Sequence, residues 1–170
     1  MKICLYLFCL FLGACTNMPK AIQNMNVVDI TYSQASQNIE SHRNVPVRWG
    51  GIIIDVENEE DFSLIQVLSY PLNFSGRPQL DDSHGGRFVI KSTEFLDPVV
   101  YAKDNEISVV GTLDGDIQRT VGKKIIQVPL IQSTGVHLWP KRQNNHYGFG
   151  PHHYYSYPFF RGGLYYPYRY

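Results

Sequence analysis

Val47-Arg48-Trp49-Gly50-Gly51-Ile52-Ile53-Ile54-Asp55-Val56 is the stretch from which the fold can be read. β-Branched and aromatic side chains dominate it, as they do in strands, yet two adjacent glycines sit in its middle. Glycine inside a strand marks a bend or the close approach of another backbone. A strand bent in this way suits a small closed barrel of the OB type, where one strand serves both sides of the closure. Gly111, within the apolar run 107–113, has the same character.

Four more runs carry the strand signature, at 62–70, 87–91, 124–131 and 135–139. In 62–70, Phe62, Leu64 and Gln66 fall on one face and Ser63, Ile65 and Val67 on the other, so both faces are expected to be covered. Turn-forming stretches separate the runs: 57–61, 71–86, Asp114-Gly115 and 120–122. A short helix is predicted over 32–41, with Thr31 or Asp29 near its start and Ile39 on one face. Asp97-Pro98 reads as an N-cap followed by a first helical position, which predicts a helical segment over 98–103. Six short strands and one or two short helices predict a mainly β domain over 31–140. Its expected form is a small antiparallel, OB-like barrel, with a plain β-sandwich as the alternative.

Before this domain the chain has the form of an export signal. Met1-Lys2 precede an apolar run over 3–12 and the small pair Gly13-Ala14. About ten apolar residues are too few to span a bilayer as a helix and suit the core of a signal peptide. Leu12-Gly13-Ala14-Cys15 resembles the bacterial lipobox. Small residues let a peptidase accept the extended backbone, and the Cys15 thiolate takes a diacylglyceryl group as a thioether. Residues 1–14 are therefore expected to be removed and Cys15 acylated. The chain has three cysteines, Cys4, Cys9 and Cys15, so loss of the leader leaves Cys15 alone and no disulfide to support the fold. At roughly 0.8 kcal/mol per buried CH₂, two or three acyl chains anchor a protein durably to membrane lipid. Thr16 stands where, in enteric lipoproteins of this kind, an Asp directs retention in the inner membrane, so the resemblance implies the outer membrane. Residues 15–30, with Pro19, Asn17, Asn24 and Asn26, read as a lipidated tether.

Charge is unevenly placed along a chain of zero formal net charge. Residues 1–116 carry all 15 acids and 8 of the 15 bases, while 117–170 carry seven bases and no acid. Such asymmetry points to an anionic partner or to mutual neutralisation of the two halves. The tail 141–170 is the most biased segment, with 18 of its 30 residues aromatic, His or Gly. Few aliphatic residues are available for a core, and its Pro and Gly disfavour a regular helix. It reads as a flexible basic tail. Tyr154, Tyr155, Tyr157, Tyr165 and Tyr166, with Arg161 and Arg169, form a candidate interaction surface for lipopolysaccharide, peptidoglycan or an envelope protein. Export to the envelope argues against nucleic acid as a partner, even for an OB-like barrel beside basic and aromatic residues.

No catalytic constellation is visible. Gly-x-Ser-x-Gly is absent, and acylation of Cys15 removes the last thiol. Asp55, Glu57, Glu59, Glu60 and Asp61 crowd one turn without the spacing or central Gly of an EF-hand loop, and read as a solvated acidic turn. His42, His84 and His137 stand alone in sequence. His146, His152 and His153 are closer together but have no acidic partner nearby to orient their rings. No metal, cofactor or catalytic residue is expected. Asn73-Phe74-Ser75 has the form of a glycosylation sequon, which carries little meaning in a bacterial chain.

Taken in order, several of these stretches resemble the Slp family of outer-membrane lipoproteins of Gram-negative bacteria. They are the lipobox at Cys15, Arg48-Trp49-Gly50-Gly51, Phe95-Leu96-Asp97-Pro98 with Tyr101, Gly111-Thr112-Leu113 with Gly115, and Gly135-Val136-His137-Leu138-Trp139. The resemblance covers roughly 1–140. It implies a lipid-anchored outer-membrane protein, associated with starvation or stress and acting in the envelope without catalysis. A module that binds a ligand or oligosaccharide is the alternative.

Overall fold

The computed structural model describes residues 18–23 and 26–142. Helix α1 (Lys20–Gln23) and helix α2 (Tyr32–Gln37) precede a 3-10 turn (Glu40–His42). The strands follow: β1 (Pro46–Asn58), β2 (Ser63–Tyr70), β3 (Gly86–Ser92), β4 (Glu106–Val121) and β5 (Lys124–Leu138). They close into a barrel in the order β1-β2-β3-β5-β4. All neighbours are antiparallel except β3 and β5, which run parallel at Val89↔Leu130, Ile90↔Ile131 and Lys91↔Gln132. The OB-like expectation holds, and closure of a single sheet replaces the sandwich alternative.

β1 achieves the closure as its glycines require. Its first half pairs with β4, from Pro46↔Thr112 to Ile52↔Glu106, and its second half with β2, from Gly50↔Tyr70 to Asn58↔Ser63. Both partners overlap at Gly50-Gly51, where a Cβ on Gly51 would collide with the Leu68 carbonyl. Alternation then sorts the side chains. Val47, Trp49, Ile53, Ile65, Val67, Phe88, Ile90, Ile107, Val109 and Ile131 fill the interior. Trp49 meets Tyr32 edge-on at 5.6 Å and Phe88 at 5.5 Å, so α2 closes one end of the barrel.

Six expected strands prove to be five. Asp114-Gly115 is a bulge within β4 rather than a turn, with Gly115 at φ +80° and the register shifting between Leu113 and Asp116. Runs 124–131 and 135–139 are one strand, paired with β4 along nearly its whole length. The long β4–β5 hairpin folds back over the sheet, burying Val128 with Leu64 and Val89 in a second small cluster flanked by Ile117 and Ile126. This supplies the expected cover on the outer face of β2.

Local caps follow the sequence closely. Thr31 forms a capping box with Gln34 at the start of α2. Asp97 Oδ1 accepts from the Val99 amide at 2.8 Å, but the helix predicted over 98–103 is a single turn closed by Val100 and Tyr101 amides on the Asp97 carbonyl. Part of the stretch 15–30, read as a tether, is packed instead: Ile22 is completely buried, and the Val28 amide donates to Pro46 O at 2.8 Å.

Candidate functional site

The alternation of β1 points Arg48 and Trp49 to opposite sides, and each holds a piece of the N-terminal segment. Trp49 Nε1, at the end of an interior ring, donates to Ile30 O at 2.8 Å. Arg48 Nε, outside the barrel, donates to Ile22 O at 2.8 Å. Burial lowers the Arg48 pKa from its ordinary value, yet a guanidinium stays charged. The segment becomes a strap across β1, and a cleft of about 500 Å³ opens between the strap and the loop 71–85.

Asp29, Arg48, Ser69, Tyr70, Ser83 and His84 line this cleft. Tyr70 and His84 meet edge-on at 6.2 Å. A cation, a carboxylate, three hydroxyls and two aromatic rings form a surface that can hold a polar, ring-bearing ligand by stacking and hydrogen bonds. Among the described residues no hydrogen bond links His84 to Ser69, Ser83 or Asp29, so these groups are not arranged as a nucleophile, base and orienter. Arg48 stands out in the sequence within its Arg-Trp-Gly-Gly motif, whereas His84 is isolated there. Nothing in the sequence marks Tyr70, Asp29 or Ser83 for this cleft, because the fold alone brings together residues up to 55 positions apart.

On the other side of the same loop lies an ionic clasp. Glu106, only 7% exposed, takes Arg77 Nε at 2.8 Å and Nη2 at 3.0 Å, and Arg142 Nε at 2.8 Å and Nη2 at 3.2 Å. Burial pushes the Glu106 carboxyl up, but hydrogen bonds from Arg77 and Arg142 and their charges together hold it below its ordinary value. Arg142 Nη2 also donates to Pro78 O at 2.7 Å, and Arg77 Nη2 to Pro140 O at 2.8 Å. Arg77 lies 5.5 Å over the Trp139 ring, whose Nε1 donates to Ser108 Oγ at 2.9 Å. Arg142, the second residue of the stretch expected to be flexible, is thus held in place. In the sequence Arg142 is one of the tail's bases, and nothing there marks Glu106, 36 positions earlier, as its partner.

Leu12, Gly13, Ala14 and Cys15 lie outside the described residues, as do Tyr154, Tyr155, Tyr157, Arg161, Tyr165, Tyr166 and Arg169. The three tail histidines do too. Among the described residues no three of His, Cys, Asp and Glu gather as a metal site. His42 Nδ1 is bonded to Asn38 O, and His137 packs edge-on against Trp139 at 4.5 Å. In the acidic turn, Glu57 pairs with Arg119 at 2.8 Å.

The chain is 26% identical to the outer membrane protein Slp of Escherichia coli K12, over 78% of this chain and 71% of that protein. It is also 26% identical to the uncharacterized lipoprotein YeaY of the same organism, over 78% and 68%. Among solved structures it is similar to a small single-stranded DNA-binding protein of Streptomyces coelicolor, at TM-score 0.37 and 9% identity, over 56% of this chain and 94% of that one. The model of the outer membrane lipoprotein Slp family matches residues 12–169. That match begins at the lipobox and runs through the tail, beyond the 1–140 that the motifs cover. This is a lipid-anchored protein of the outer membrane, and the chain belongs to the Slp family.

Proposed function

We propose that the protein is a non-catalytic interaction module of the cell envelope, acylated on Cys15, whose barrel presents the 141–170 tail beside its own membrane anchor. One observation carries this reading: the first and last described segments meet at one loop. Ile22 and Met18 pack against Gly76, and Arg142 donates to Pro78 O two residues further on. A basic, tyrosine-rich tail leaving at that point is held close to lipid headgroups, lipopolysaccharide, peptidoglycan or a protein partner embedded among them. Four bases without an acid attract an anionic surface, and amphipathic rings settle at an interface. The link to starvation or stress rests on the family resemblance.

The test is made in cells. Cys15→Ser is expected to abolish labelling by a palmitate analogue and release the protein from membranes. Truncation after Arg142 in the acylated protein is expected to reduce cross-linking to envelope components, with a salt-sensitive loss. Undiminished label in Cys15→Ser overturns the anchor, and unchanged cross-linking after truncation overturns the tail's role.

The cleft beside Arg48 favours a second reading, a module that takes a polar ligand such as an envelope oligosaccharide. Tyr70→Ala and His84→Ala are expected to weaken binding of lipopolysaccharide core or peptidoglycan fragments in titrations. Equal binding by both variants excludes the cleft.

A further inference from the structure

Phe74 is 85% exposed in the loop 71–85, although the backbone around it is firmly held. Asn73 Oδ1 accepts from the Ser75 amide at 3.0 Å, the Ser75 hydroxyl at 2.9 Å and the Arg77 amide at 3.0 Å. The Asn73 amide donates to Arg77 O at 2.9 Å, and Leu72 bridges Pro78. Ser108 Oγ, buried in β4, donates to Gly76 O at 2.6 Å. A turn bonded on every side offers its phenyl ring as a fixed projection. Asn73-Phe74-Ser75, sequon-like in form, is the framework of that turn.

The ring is not alone. Val28 is 47% exposed, and Met18, Val28 and Phe74 border one depression of about 360 Å³. Gly76, at φ +82°, leaves room for the strap: a Cβ there would lie 2.9 Å from Ile22 Cδ1 and 3.6 Å from Met18 Cε. Met18 follows Cys15 by three residues, which span at most about 11 Å when fully extended. If Cys15 carries the acyl chains, Met18 cannot be further than that from the lipid surface, and Phe74 shares its depression. Arg142 donates to Pro78 O in the same loop, with Lys141 next to it in sequence, and Lys20 stands two residues before Ile22, whose side chain lies against Gly76.

We infer that the Phe74 turn is a lipid-contacting element, inserting its ring into the headgroup and acyl boundary of the bilayer that holds the Cys15 chains. The inference rests on the acylation proposed above. A rigid apolar side chain beside basic groups is the composition that enters this boundary. It converts a lipid anchor into a defined stance. Loop 71–85 and the tail exit face the membrane, and the β4–β5 hairpin tip is the distal end. Residue 121 lies fifteen positions along β4 from Glu106, at most about 50 Å away at 3.3 Å per residue.

The test uses the acylated full-length protein in vesicles of phosphatidylethanolamine and phosphatidylglycerol. Phe74→Cys, Phe95→Cys and Ile125→Cys are each coupled to an environment-sensitive fluorophore. Phe95 represents the rival exposed apolar patch with Val99, and Ile125, 65% exposed, the hairpin tip. Flotation reports anchoring independently of the probe. With the protein floating, the probe at 74 is expected to shift to the blue and lose quenching by aqueous iodide, while those at 95 and 125 stay quenched. A floating protein whose probe at 74 remains in water, or whose probe at 95 or 125 is shielded instead, overturns the inference and leaves the anchor intact. A protein that does not float overturns acylation and the inference together. All three side chains are exposed, and unchanged thermal melts confirm that each variant is folded.

Discussion

Arg142 Nε stands 2.8 Å from Glu106 Oε1, tying the last described residue of the chain to the first residue of β4. Arg77 shares the same carboxylate from the loop 71–85, so one acid holds two otherwise separate segments. Glu106→Gln should cost about 2 kcal/mol, the range for losing charge-assisted hydrogen bonds to a mostly buried group. The loss should have a pH signature. The folded carboxyl is held below its ordinary 4.5, so its contribution is complete above that value and disappears as pH falls through the lower, folded value. Urea melts of the Cys15→Ser mature chain should show the variant weaker at neutral pH, with the gap closing in acid. A gap that persists unchanged in acid would show that packing, not charge, is what was lost.

Asp97→Ala removes the carboxylate that accepts from the Val99 amide at 2.8 Å. A lost N-cap costs about 0.5 to 2 kcal/mol. The lower half of that range is expected here, since the capped element is one exposed turn. The same melts decide it, and an unchanged midpoint would mean that water replaces the cap without loss.

Two glycines should respond very differently to alanine. At Gly51 a Cβ meets the Leu68 carbonyl, and backbone cannot step aside without breaking the β1–β2 ladder, so Gly51→Ala should cost at least about 3 kcal/mol. At Gly122, in the hairpin turn, φ is +63° and nothing lies within 4 Å. Only backbone strain opposes the change, about 1 kcal/mol. Comparing their urea midpoints tests whether β1 bends where the barrel closes, and equal costs would refute it.

That closure was legible because glycine in a β-branched run has few other uses, and the alternation around it names the core residue by residue. The β4–β5 hairpin was not legible. Gly115 has the same local signature in a bulge as in a turn, and only the pairing with β5 tells them apart. The packed strap escaped for another reason. Ile22 and Ile30 are held through their backbone carbonyls by Arg48 and Trp49, and a carbonyl leaves no mark on the sequence. The cleft combines both difficulties, since Asp29, Tyr70 and His84 meet only once strap and loop are in place.

Where the tail begins to matter can be located to two residues. The 141–170 segment, poor in Leu, Ile and Val, reads as dispensable for folding, and truncation after Pro140 should then leave the melt unchanged. The clasp changes that expectation, because such a truncation removes Arg142 and leaves Glu106 with Arg77 as its one arginine partner among the described residues. Arg142 is 40% exposed, and solvent weakens pairs of that kind, so the loss should be about 1 kcal/mol rather than the full value of a buried pair. Truncation after Arg142 keeps the clasp and should leave the melting midpoint where it was. Both truncations remove the tyrosines and Arg161 and Arg169, so both should lose envelope association. A difference in stability with no difference in association would separate the two roles of the segment, fold-supporting at Arg142 and partner-facing beyond it. If truncation after Arg142 also unfolds the barrel, residues beyond the clasp are part of the core and the interaction role proposed for them fails.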